Sequence, residues 1–267
     1  MVGGEAMKTL LERARSGESL ADLEIVDMHG HFGRYLHAIP DLTAEGLVRV
    51  MDRLGVRSIL VSHMQCMSQH THRGNEEVLT AMRAFPGRIL GYAVVWPVDG
   101  DTRAEMEWCA AHGFTGLKLH SSNGFAYTDP VYAGALSVAN ERRMPVLLHA
   151  WGAASDFAAI RELAAKYPEA SFLFAHSGTG GAEAECIRLA REVPNAYLDL
   201  AYSQGPRGLV ERLVAGAGAE KVLFGSDCYF FSMTQQIGKV LGADLSDGEK
   251  RKILSENALR ILERVQR

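Results

Sequence analysis

Cysteine is scarce in this chain, and the four that occur (Cys66, Cys109, Cys186 and Cys228) are widely spaced and form no CxxC pair. That argues against a thiolate zinc site or a disulfide framework and predicts free thiols in a reducing compartment. Long hydrophobic runs are missing too: nowhere do eighteen apolar residues stand together, so no membrane span is expected. The segment MVGGEAMKTLLERARSGESL lacks an apolar stretch of signal-peptide length, which leads to the expectation of a cytoplasmic protein. There is no basic stripe, and 28 basic against 32 acidic residues give a formal charge of -4, which removes nucleic acid as an expected partner. The connection after the first apolar run holds no GxGxxG and no P-loop, so a nucleotide cradle is absent as well.

What the chain does have is a rhythm. Short apolar runs alternate with longer amphipathic segments, and Gly, Pro, Ser or Asn closes each run. The runs read as strands are Glu24 to His31, Arg57 to His63, Ile89 to Trp96, Thr115 to His120, Pro145 to Ala150, Ser171 to His176, Ala196 to Ala201 and Lys221 to Asp227. Between them lie helical segments such as AEGLVRVMDRL, NEEVLTAMRAF, TRAEMEWCAAH, DPVYAGALSVANE, DFAAIRELAAKY and EAECIRLAREV. Each can cover one face of a parallel sheet. A short helix before the first strand and a closing helix from Ser246 to about Val265 complete the pattern. Eight βα units in 267 residues predict an α/β chain folded as one TIM (β/α)8-barrel domain over residues 1–267.

The histidines are placed unevenly on that pattern. His29, His31, His63, His120, His149 and His176 fall at the C-terminal ends of expected strands; His37, His70 and His72 sit in the loops after the first two. Of the ten, only His112 belongs to the opposite end. Barrel enzymes assemble their active sites at the C-terminal face. In IVDMHGHFG the period of two puts His29 and His31 on one side of the strand, a geometry suited to two imidazoles on one ion. His149, His176 and Asp227 close strands five, six and eight, and such imidazoles with a carboxylate form a normal shell for zinc, manganese or iron. GLKLH puts Lys118 and His120 on one face of strand four. A barrel-facing Lys118 reads as a substrate cation, an ion-pair partner of Asp227, or a carbamylated bridge between two metals.

These elements together resemble the amidohydrolase superfamily, in the amidohydrolase-related branch that contains aminocarboxymuconate semialdehyde decarboxylase and several lactone hydrolases. The matching segments are DMHGHFG, GLKLH, VLLHA, FAHSG, VLFGSDCYF and the closing LSDGEKRKILSENALRIL. The resemblance implies one catalytic divalent ion, zinc as the expected metal, held by His29, His31, His149 and Asp227 with His176 beside it. Two-metal members use the strand-four lysine and the strand-six histidine, so Lys118 and His176 leave a second ion open.

The expected activity is hydrolysis of a small-molecule amide, ester or lactone through a metal-activated water, with Asp227 moving the proton and His176 aiding the developing oxyanion. Non-oxidative decarboxylation of a small carboxylic acid is the alternative, and a metal-binding barrel without catalysis is a reading from another class. His63 and His120, together with Arg34, Arg73, Trp96 and Trp151 in or near the mouth loops, are assigned to the substrate. Arg207, Tyr202, Tyr229, Phe230 and Phe231 lie in the same loops, and Cys66 and Cys228 near them read as bystanders. A small molecule is the expected partner, and a homo-oligomer through the outer helices is compatible with such a barrel.

Overall fold

The computed structural model describes residues 8–34, 39–64, 70–202 and 205–266, so His37 and Cys66 lie outside the described residues. Eight strands run β1 Ile25–Phe32, β2 Val56–His63, β3 Ile89–Val94, β4 Gly116–Leu119, β5 Pro145–Leu148, β6 Ser171–Phe174, β7 Ala196–Asp199 and β8 Val222–Leu223. Each pairs in parallel with the next in sequence order. The segment after β8 closes the ring on β1. Met28 N donates to Phe224 O (3.0 Å), Asp227 N to His29 O (2.7 Å) and His31 N to Cys228 O (2.7 Å). The eighth strand is therefore regular over two residues and not seven, because its continuation turns from β7 to β1. This is the TIM barrel expected from the sequence.

Helices follow the strands: α1 Leu10–Arg15 precedes β1, and α2 Ala44–Leu54, α3 Thr71–Ala84, α4 Thr102–Ala111, α5 Ala133–Glu141, α6 Ala154–Lys166, α7 Glu183–Glu192, α8 Leu209–Ala217 and α9 Met233–Leu241 alternate with the rest. Side-chain caps start several of them, Thr43 for α2, Asp101 for α4 and Ser232 for α9, each accepting backbone N–H groups that a first turn leaves unpaired. The closing helix is broken. α10 Asp247–Arg251 passes through a π-turn, Lys252–Glu256, into α11 Asn257–Glu263. There Ile253 O accepts Phe224 N (3.0 Å), and Asn257 Nδ2 donates to the carbonyls of Ala219 (2.7 Å) and Val222 (2.9 Å). The wider turn tethers the closing helix to the end of the barrel.

Two apolar clusters divide the core. One lies between strands and helices and takes the outward residues of the strands, such as Ile59, Val61, Leu117, Leu119, Val146, Phe172 and Leu198. The other fills the barrel with Val26, Met28, Leu60, Tyr92, Leu147, Leu173 and Leu223, and α11 inserts Ala258 and Ile261 among them. The inner layer is packed solid, as barrel interiors are. Among the described residues no helix is long and apolar enough to cross a membrane.

Candidate metal centre

Strand β1 supplies the first residues of the site and does so by breaking its own alternation. Val26 and Met28 face the barrel interior, so plain alternation would send His29 and His31 outward. A register shift between Asp27 and Gly30 intervenes: Asp27 pairs with Ile59, and Gly30 already with Val61. This β-bulge turns both imidazoles into the mouth, the use to which bulges at barrel rims are commonly put. Gly30 takes the outward place, where a Cβ would lie 2.4 Å from Ile59 Cδ1. On β6, Leu173 and Ala175 point inward, and the left-handed backbone of His176 (φ 56°) brings that ring to the same side. Asp227 is also left-handed (φ 53°).

His29, His31 and Asp227 each offer a ligand atom within 4.8 Å of the others, and all three are buried. Asp227 Oδ1 lies 3.3 Å from His31 Nε2 and 3.7 Å from His29 Nε2, and Asp227 Oδ2 lies 4.0 Å from His176 Nε2. Hydrogen bonds on the far ring atoms fix most of the tautomers. His29 Nδ1 lies 2.7 Å from Asp199 Oδ2, and His176 Nδ1 2.8 Å from Ala201 O; both acceptors lack a proton, so both Nδ1 atoms carry one. Their Nε2 lone pairs face the mouth. His149 Nδ1, 3.4 Å from His176 Nε2, then acts as the donor, which leaves its own Nε2 with a lone pair. His31 Nδ1 meets Ser62 Oγ at 2.9 Å, a hydroxyl that serves either tautomer.

His120 is the opposite case. Its Nδ1 accepts Ser122 N–H (3.1 Å), so the neutral ring carries its proton on Nε2. The ring stacks on His149 with centroids 3.9 Å apart. Burial, with the Lys118 ammonium second, pushes His120 down to about 3, and burial likewise holds His29, His149 and His176 below the usual histidine range. The rings are neutral at pH 7. Asp227 is placed well below the usual carboxylate range: burial opposes its charge, and as the pH falls protonation of His29, His31 or His176 beside it, with a His31 hydrogen bond, favours the carboxylate. Lys118, wholly buried, places Nζ 3.3 Å from His29 Nε2, and burial pushes it down to about 8 against the pull of Asp227 and Asp199.

His29, His31 and Asp227 form a group able to hold a metal ion, and imidazole nitrogen with carboxylate oxygen suits a divalent one. The three-residue ligand group does not include His149, whose ring bonds to His176, whose carbonyl accepts the Tyr127 hydroxyl and whose N–H donates to Leu119 O (3.1 Å). Trp151, 49% exposed, stacks on His176 at 4.5 Å, and Tyr202 meets both rings edge-on. Phe230 lies edge-on to His31 at 5.8 Å.

The other residues assigned to the substrate have contacts of their own or are exposed. His63 shares the outward side of β2 with Ile59 and Val61, packing edge-on against Phe32 (5.0 Å) and over Gly33, while Ser62 is the residue that turns in to His31. Trp96 donates Nε1–H to Asn123 O (3.0 Å) and lines a cavity of about 340 Å³ with His72, Glu105 and Trp108 between α3 and α4. Arg34 is exposed in the loop after β1, and Arg73 is exposed in the first turn of α3. Two buried carboxylates that histidine placement does not single out, Asp27 and Asp199, complete the frame. Asp27 Oδ1 accepts His29 N (3.0 Å) and Ser226 N (2.9 Å), tying β1 to the segment after β8. Burial pushes Asp27 up to about 7 and Asp199 up to about 6. Asp199 ends β7, so the strand-end argument applied to the histidines would have reached it too.

Solved structures share this architecture. 5-Carboxyvanillate decarboxylase from Sphingomonas paucimobilis superposes with a TM-score of 0.71 at 15% identity over 91% of this chain and 100% of that one. 4-Oxalomesaconate hydratase from Rhodopseudomonas palustris gives 0.69 at 18% identity over 90% and 96%. A probable 2-pyrone-4,6-dicarboxylic acid hydrolase from Acinetobacter baumannii gives 0.69 at 16% over 90% and 99%. At such identities the likeness establishes the barrel. No curated protein sequence matches the chain. The family itself follows from the sequence profile of the amidohydrolases (Amidohydro_2), which matches residues 26–264: the protein belongs to the amidohydrolase family.

Proposed function

We propose that this amidohydrolase is a metal-dependent hydrolase of a small amide, ester or lactone. The observation that carries the reading is the convergence of His29, His31 and Asp227 within 4.8 Å at the barrel mouth, with the His176 lone pair 4.0 Å from the Asp227 carboxylate. His29, His31 and Asp227 would hold one divalent ion, with zinc suited to this donor set and the free Nε2 of His149 as a further ligand. Such an ion supplies Lewis acidity, lowering the pKa of a water and polarising the scissile carbonyl. Asp227, ionised at neutral pH, accepts the proton of the attacking water and passes it to the leaving group. His176, unprotonated at Nε2, orients that water, and His120 offers its Nε2–H to the carbonyl oxygen as charge develops there. Lys118, with Nζ 3.3 Å from His29 Nε2, would balance the charge of Asp227 and Asp199 beside such an ion.

A second reading, non-oxidative decarboxylation, is favoured by the aromatic surface at the mouth. Trp151 on His176 and Phe230 beside His31 make flat apolar walls for a planar unsaturated acid, and one structural neighbour is a decarboxylase of such an acid by name. His120 Nε2–H would then grip a carboxylate.

The test is metal content together with turnover on a panel of esters, lactones, amides and unsaturated carboxylic acids, for the wild type and Asp227→Asn. The expected result is stoichiometric metal and a turnover loss of about 10²–10⁴-fold in the variant. Full turnover in Asp227→Asn sinks the mechanism; metal without turnover on any substrate favours the non-catalytic barrel. Carbon dioxide release without incorporation of solvent oxygen selects decarboxylation.

A further inference from the structure

We infer that Asp199 is a positioning residue for the metal centre: by accepting the Nδ1 proton of His29 it fixes the one tautomer of that ring whose Nε2 lone pair faces the mouth. The inference rests on the metal-binding reading above and adds a residue that is not itself a ligand, since the ligand group is His29, His31 and Asp227.

The geometry leaves His29 little choice. Asp199 Oδ2 and His29 Nδ1 are 2.7 Å apart, and the two residues are 0% and 1% exposed. If the proton moved to Nε2, two acceptors would face each other at that distance away from water, and an N–H would stand where a ligand lone pair is needed. The carboxylate is itself held. Its Oδ1 accepts Ala201 N (3.2 Å), and its backbone carbonyl accepts Ser177 N (2.9 Å). Gly225 provides the space: a Cβ there would lie 1.9 Å from Asp199 Oδ1 and 2.8 Å from His29 Cβ. The chain just beyond is pinned from outside by Lys239 of α9, which donates to Leu200 O (2.5 Å) and Tyr202 O (2.7 Å).

The same short segment treats a second ring alike. Ala201 O accepts the Nδ1 proton of His176 at 2.8 Å. The end of β7 thus orients two imidazoles, one through a side chain and one through the backbone. Only the first can be removed by a single substitution, which makes Asp199 the testable half. Carboxylates behind metal-bound histidines commonly act in this way.

The experiment uses the full chain, wild type and Asp199→Asn, with Asp199→Ala as a second variant. In metal-free, ¹⁵N-histidine-labelled protein, long-range ¹H–¹⁵N correlations report the protonated nitrogen of each ring; zinc affinity is measured by competition with a chromogenic chelator. Expected are an Nδ1–H ring for His29 in the wild type, loss of that single form in Asp199→Asn, and zinc affinity weaker by about 10–100-fold with the far-UV spectrum unchanged. An Nε2–H ring in the wild type overturns the inference, as does a variant with the same tautomer and affinity within about twofold of wild type. Should the wild type bind no zinc, the metal reading falls, while the ring measurement still decides on Asp199.

Discussion

The two ends of this barrel are built from the same eight strands and follow different rules. At the floor, Val26, Leu60, Tyr92, Leu147, Leu173 and Leu223 point inward in simple alternation and are sealed by Ala258 and Ile261 of the closing helix. At the mouth, alternation is overruled by a bulge in β1 and by left-handed residues at His176 and Asp227. Buried carboxylates and neutral imidazoles there stand in states that burial disfavours or shifts. The difference teaches where stability is generated and where it is spent: the floor is ordered by packing, the mouth by exceptions to packing that aim polar atoms at one point.

The comparison breaks if mouth and floor variants fail alike. The largest effect expected is on turnover from Asp227→Asn, about 10²–10⁴-fold, with a shift in the apo melting temperature smaller than any floor truncation causes; kinetics and calorimetry check this. Leu173→Ala, fully buried in the floor, should cost about 2–5 kcal/mol of stability in denaturant titration while the folded fraction keeps its metal affinity. Gly225→Ala lies between the two, overpacking Asp199 and His29 at a cost of about 1–3 kcal/mol and weakening metal binding as well.

A smaller effect concerns pH. His29, His63, His120, His149 and His176 all titrate below their ordinary 6.5 in the folded chain, so as pH falls under 6.5 the unfolded state takes up these protons first and stability drops. Asp27 and Asp199 act in the other direction: raised to about 7 and about 6, they bind protons in the folded state that the unfolded state has released above 3.8. Five imidazoles outnumber two carboxylates, so the metal-free protein should lose stability from pH 6.5 down to pH 4.5, and denaturant midpoints across that range would show it. A rise instead would mean the carboxylates dominate the mouth. Least of all, Arg73→Ala on the exposed face of the first turn of α3 should change stability by under about 0.5 kcal/mol.

Much of the barrel was legible because apolar runs and amphipathic segments recur with the right periods: β3 to β7 fall within the runs that predict them, and β1 and β2 each exceed theirs by one residue. The end of β8 was not, since no local pattern says that Phe224 to Cys228 leave β7 for β1. At the site, strand ends pointed to His29, His31, His120, His149, His176 and Asp227. They misplaced His63, because standing at a strand end does not say which face a side chain takes, and parity on β2 gives the inward place to Ser62. For Trp96 no periodicity announces what the structure shows, an indole bonded to the carbonyl of Asn123 and lining a cavity between α3 and α4. The bulge was hidden because HxH spacing looks identical whether the pair faces in or out.

The bond between His29 and Asp199 joins residues 170 positions apart, and the one between Asp27 and Ser226 spans 199. At a synthesis rate of about 5–20 residues per second, the histidines of β1 leave the ribosome roughly 10–30 s before the carboxylate that orients them. During that interval His29 lacks the carboxylate that holds its ring, so the arrangement of the mouth belongs to the completed ring of strands and not to the β1 segment alone.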